Sequence, residues 1–170
     1  MIDGFIIDRS TGDRIKFKYF DPLTENVRAE YDEAPVRGRS EPHLFYQQTG
    51  PDNYNFSLKL VASVDEVDGG TPQQIHQQYL FIKSFQFPDY GQGYLGPVRP
   101  PHHAIILIGR FFRKKGAIQD PSFTFSFPLD ENGYPYQIEC RWTFRVLNDR
   151  PLDYMDVRTG RGNLLPDYTS

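Results

Sequence analysis

The residue types of this 170-residue chain that could do chemistry are four histidines, one cysteine, scattered carboxylates and a short basic run. His102 and His103 invite a metal site, with His43 and His76 elsewhere in the chain. Adjacent residues entering a strand point to opposite faces, so this pair cannot readily chelate one ion, and no cysteine or carboxylate cluster stands beside it. All four histidines therefore read as surface or loop residues. Cys140 falls on the apolar side of an alternating stretch, away from the electropositive setting that makes a thiolate, and it reads as core. There is no Gly-x-Ser-x-Gly, no phosphate loop and no dinucleotide fingerprint. The acidic residues lie mostly in turns, without a pair spaced for glycoside hydrolysis. The expectation is a protein without catalytic activity, cofactor or metal.

The basic run Arg110, Arg113, Lys114 and Lys115 has three readings: a phosphate contact, a solvated hairpin tip, or a protein contact. Phe111 and Phe112 stand beside it, and arginine mixed with large rings is the composition of protein-interface hot spots. Binding of single-stranded nucleic acid wants aromatics spread along an open basic groove instead. A formal net charge of −3 predicts no strong general attraction to nucleic acid or to a membrane surface.

The elements that must position these residues are mostly strands. From Tyr136 to Val146 every second side chain is apolar, with Ile138, Cys140, Trp142 and Phe144 between them, and this period of two predicts a long strand with one buried face. Asn132-Gly133 before it tolerates the positive φ of a tight turn. Phe123, Phe125 and Phe127 alternate with Thr124 and Ser126 and predict an antiparallel partner. A third, nearly all-apolar strand spans Ala104 to Phe112, with Arg113-Lys114-Lys115-Gly116 as the tip that turns it back. Pro100 to Val146 is thus a three-stranded meander, the centre of the domain.

Upstream, Phe5-Ile6-Ile7 and Ile15, Phe17 and Tyr19 flank a Ser10-Thr11-Gly12-Asp13 turn, which predicts a first hairpin. A weaker edge strand is expected around Val27, Ala29 and Tyr31. Ala34 to Pro51 shows no clean period and is broken by Pro35, Gly38, Pro42 and Gly50, so it reads as a long loop of the functional kind, carrying Arg37, Arg39, His43, Phe45 and Tyr46. Tyr54, Phe56, Leu58 and Leu60 mark another strand. Thr71-Pro72 followed by Gln74 is a capping box with proline at the first helical position. It opens a helix near 71–86 whose apolar stripe is Ile75, Tyr79 and Ile82, extending to Phe85. Residues 1–147 form one β-rich domain and 148–170 an extended tail. No apolar run reaches the ~20 residues of a membrane span, and no basic start with an apolar run suggests a signal peptide.

The order of short motifs resembles a family. Arg39-Ser40-Glu41-Pro42 precedes the Phe56-Ser57-Leu58-Lys59-Leu60 strand, the Thr71-Pro72 helix closes on Phe87-Pro88-Asp89-Tyr90, and Pro100-Pro101 enters an apolar strand ending at Gly109. Gly133-Tyr134-Pro135 then opens the last strand. Over roughly Glu33 to Leu147 this is similar to the small baseplate proteins of contractile phage tails and related injection systems. The resemblance implies a tail-tube-like fold, mainly β (α+β): a partly open antiparallel β-barrel with one helix. It implies a virion protein assembled in the host cytoplasm, a ring that initiates the tail tube at the central hub. Its partners would be copies of itself, the tube protein and hub proteins, without membrane or specific nucleic acid binding. The LysM module frequent in that family has too little room after Leu147. A tail terminator, another tail adaptor and a small-molecule-binding β-barrel are the alternatives. The expected subunit contacts are Arg37, Arg39 and Tyr46 in the long loop, and Phe111, Phe112, Arg113, Lys114 and Lys115 at the tip.

Overall fold

A computed structural model describes residues 4–17, 21–34, 43–62, 70–90 and 98–148, together with Met155 and Arg158. The strands are β1 (Gly4–Asp8), β2 (Arg14–Phe17), β3 (Thr24–Asn26), β4 (Ala29–Ala34), β5 (His43–Thr49), β6 (Asn53–Val61), β7 (Ala104–Ile108), β8 (Phe112–Leu129) and β9 (Pro135–Val146). One helix, α1, covers Pro72–Ser84. Seven strands form one antiparallel sheet in the order β2-β1-β7-β8-β9-β6-β3, while β4 and β5 pair only with each other. The large sheet curls into a partly open barrel. Its curvature brings Tyr54 of β6 and Phe112 of β8, two strands away, edge to face with ring centroids 4.8 Å apart.

The core follows from strand alternation. Ile138, Cys140, Trp142, Phe144 and Val146 are buried on β9, and opposite them on β6 so are Tyr54, Phe56, Leu58 and Leu60. Phe56 and Trp142, paired across the two strands, stack at 5.4 Å. The helix covers this inner face with Ile75, Ile82 and Phe85, all buried. Its start is as the sequence predicts: Thr71 accepts from the Gln74 backbone N–H, and the Gln74 side chain accepts from the Thr71 N–H at 3.0 Å. Tyr79 reaches the β8 rings, with Phe123 and Phe125 each edge-on to it.

Turn chemistry is also local. Gly12 and Gly133 take positive φ at the β1–β2 and β8–β9 turns, conformations that cost a residue with a Cβ. The Asp130 carboxylate accepts from the N–H groups of Asn132 and Tyr134 and fixes the second turn.

Four expectations are corrected. The strand predicted over Ala104 to Phe112 ends at Ile108, because Gly109, with φ of 55°, turns the chain there. Arg113 to Gly116 is therefore no tip: it is the start of β8, paired with β7 from Phe112↔Ile108 to Gly116↔Ala104. The stretch Ala34 to Pro51 is not all loop, since His43–Thr49 is β5, antiparallel to β4. Its cross-strand partner is what makes it a strand, and its own sequence carries no burial period to announce one. Tyr136 is exposed rather than buried, beside a register shift at the turn end of the β8–β9 hairpin. A second shift in β8, between Gln119 and Ser122, contains Asp120 at φ 49° and Pro121, a bulge position where the missing proline N–H is tolerated. Of the predicted tail, only Asn148, Met155 and Arg158 lie among the described residues.

Candidate functional site

In the arm formed by β4 and β5 none of the described side chains is buried. Leu44 to Thr49 are all exposed, as are Tyr31, Asp32 and Glu33. Tyr31 and Tyr46 oppose each other with rings 5.7 Å apart in T-shaped contact, and Phe45 opposes Asp32 on the other face. Polar bonds tie the two strands: Gln48 Nε2 donates to Glu30 at 2.7 Å and Gln47 donates to Asp32, while within β5 Tyr46 Oη lies 2.8 Å from Thr49 Oγ1. A two-stranded hairpin on its own is marginal in water. This one carries exposed large apolar side chains on both faces, the mark of a surface built for a partner.

The basic run is divided by the sheet. Arg110 and Phe111 lie in the β7–β8 turn, with Phe111 62% exposed. Phe112 points inward, 3% exposed, packed on Tyr54 and Phe56. Lys114 shares its side of the sheet with Ile106, which is buried in the core, and its Nζ stands 3.7 Å from Asp52 Oδ2. Arg113 and Lys115 take the opposite, outer side, half-buried and buried respectively. Of the eight residues expected at contacts, Tyr46 and Phe111 are thus strongly exposed and Arg113 partly so. Phe112 and Lys114 belong to the interior, because alternation sends every second residue of a strand to the other face. Arg37 and Arg39 lie outside the described residues.

Sequence reasoning missed a cluster at the other end of β7. His102 Nδ1–H donates to Asp8 Oδ2 at 2.7 Å, and His102 Nε2 stands 3.7 Å from Asp89 Oδ2. The other Asp8 oxygen caps the β1–β2 turn, accepting from the Ser10 N–H at 2.7 Å. Asp89 is held by a two-bond backbone bridge to Arg99, and Arg9 N–H donates to His103 C=O. The Asp8 hydrogen bond, reinforced by Asp89, raises the His102 pKa against a lesser opposing desolvation. Its neighbour His103 is lowered, first by desolvation and then by Arg9 and Lys115. A cleft of about 480 Å³ opens beside the cluster, lined by Ser10, Thr11, Arg99 and Pro101 among others. Chemically this is an imidazole ring hydrogen-bonded to one carboxylate and facing a second, tying together segments up to 94 residues apart in sequence. No local signal could have found it, since neither aspartate is near His102 along the chain. Among the described residues no group of three or more His, Cys, Asp and Glu is placed to hold a metal ion.

Burial pushes the Cys140 thiol up to about 12, and the fully buried sulfur is a core atom. Among the described residues no helix is long and apolar enough to cross a membrane.

No protein-family model and no curated protein matches this chain. Its function is therefore argued from the surface just described.

Proposed function

We propose that this chain is a structural protein of a contractile-tail baseplate, whose copies join into a ring between the central hub and the tail tube and initiate the tube. The observation that carries this reading is the β4–β5 arm. It stands apart from the seven-stranded sheet and exposes Tyr31, Leu44, Phe45 and Tyr46, a surface that costs free energy in water and regains it against a partner. The partly open barrel with one covering helix fits the tail-tube-like fold that the motif order implies, and fold alone leaves function to the surface. Ring formation needs two different complementary patches on each subunit, and the arm supplies one. A tail terminator or another tail adaptor would use the same arm in the same way. The ligand-binding barrel has less support, because the inner face is filled by Phe56, Phe112, Trp142 and Phe144 packed ring on ring.

Electron microscopy of the purified protein, alone and with the tube protein of the same tail, tests the proposal. Rings that seed tubes are expected. Monomers at all concentrations that neither bind nor nucleate the tube protein would overturn it.

A further inference from the structure

Three segments that are remote in sequence meet at one imidazole. Asp8 ends β1, Asp89 follows α1, and His102 leads into β7. A neutral imidazole carries one N–H and one lone pair, and only the imidazolium donates from both nitrogens. Asp8 occupies the Nδ1 side at 2.7 Å, so a neutral ring turns its Nε2 lone pair towards Asp89 Oδ2, 3.7 Å away. Two acceptors then face each other, and in the other tautomer the same conflict moves to Asp8. With the ring protonated, both carboxylates face a donor and both contacts are attractive. Each carboxylate is anchored in its own segment. The other oxygen of Asp8 accepts from the Ser10 N–H at 2.7 Å, and the Asp89 backbone exchanges two hydrogen bonds with Arg99, at 2.9 and 3.1 Å. The charge on the ring therefore acts on the contact between segments rather than on the turn or the bridge by itself.

We infer that His102 is a pH-operated latch: as the imidazolium it holds the Asp89–Arg99 bridge against the end of β1, and on losing its proton it loosens that contact. The latch is independent of the self-assembly proposed above. The charged groups around it come from every adjoining segment. Asp8 of β1 and Asp89 beyond α1 both favour the imidazolium. His103 stands next in the chain, where Arg9, Lys115 of β8 and His102 itself all oppose a second proton. The two rings therefore titrate in opposite directions from their ordinary value, His102 above it and His103 below. Between those two values the latch is closed with His103 neutral, and above the His102 value it is loosened. Asp89, Arg99 and His102 also line the 480 Å³ cleft, so the latch acts on the wall of that cleft. Protonation of histidine beside fixed partners is a common way for a fold to couple pH to a local contact.

The test uses the full chain and reads the bridge directly. The Asp89 and Arg99 amides donate across it, and their hydrogen-exchange protection factors, corrected for the intrinsic pH dependence of exchange, report local opening. Protection at both amides should be about threefold greater below the His102 titration than above it. Its midpoint should coincide with that of the His102 ring, followed by NMR in the same sample. Amides of β9 serve as the control for global opening and should not change over that range. Asp89→Asn removes the carboxylate that prefers the imidazolium, and in this variant the step at the bridge should vanish while the β9 amides stay protected. Bridge protection that is level through the wild-type His102 titration, or a step that persists unchanged in folded Asp89→Asn, overturns the latch.

Discussion

At the scale of single residues, His102 shows how a fold gives an ordinary side chain a pH range of its own. Its folded pKa is raised, chiefly by the hydrogen bond to Asp8 and further by Asp89. Folding stability from this group is then fully present below the unfolded value near ~6.5 and is lost as pH rises through the folded value. His103 has the opposite sign. Its folded pKa is lowered, so protonation below ~6.5 opposes folding there. Histidine NMR titration should therefore resolve two adjacent rings on either side of ~6.5, and Asp8→Asn should bring the His102 value down. Coincident titrations of both rings, or an Asp8→Asn variant with His102 unchanged, would contradict the geometry. Lys114 gives a second residue-scale prediction. It faces Asp52 from the inner side, both largely buried. Lys114→Glu should therefore destabilise the isolated subunit by about 3 kcal/mol, measured by urea unfolding. Were this lysine at a solvated hairpin tip, the same change would cost under ~0.5 kcal/mol.

At the scale of elements, β9 holds the sheet together because it pairs with β8 on one side and β6 on the other. Trp142, 4% exposed, stacks on Phe56 across the second of these pairings. Trp142→Ala should cost about 3–5 kcal/mol. Arg141 lies on the outer face, where it donates to Glu139 at 2.6 Å with a well-exposed guanidinium, and Arg141→Ala should cost under ~1 kcal/mol. Chemical denaturation of the two variants compares them directly, and equal losses would show that the faces of β9 are misassigned. β8 is the element whose sequence misleads. Arg113-Lys114-Lys115-Gly116 has the composition of a turn, yet it is strand. Two cations go outward, one finds Asp52, and Gly116 admits the Arg145 backbone so closely that a Cβ would collide with its carbonyl. The turn instead forms four residues before Arg113, at Gly109, for want of a Cβ.

At the scale of the molecule, a folded sheet carries an arm that adds little to its core. Gly50 N–H donates to the Arg28 carbonyl at 2.9 Å, so the arm's two roots lie side by side. Replacement of residues 29–49 by a short turn should therefore leave the seven-stranded sheet folded, with a thermal midpoint within a few degrees of wild type. The same deletion should abolish self-association. Differential scanning calorimetry and sedimentation of the one variant read both outcomes, and a deletion that unfolds the sheet would mean that the arm is part of the core.

What the sequence determined by itself is whatever depends on neighbours a few residues away. The period of two in β6 and β9, the Thr71 capping box and the Gly12 and Gly133 turns were all legible, because alternation, caps and positive φ are properties of short segments. Of the candidate surface, the exposure of Tyr46 and Phe111 was legible as polar context around a ring. What the tertiary structure alone decided depends on pairing across the chain. β5 is a strand because β4 lies beside it, and Phe112 is core because β8 begins one residue after the Gly109–Phe111 turn. His102 has a raised pKa because Asp8 and Asp89 arrive from distant segments. Long-range register sets which face a side chain takes, and a shift of one residue exchanges interior for surface. That is why one basic run of the sequence became, in the fold, an internal ion pair and two side chains on the outer side of the sheet, one half-buried and one buried.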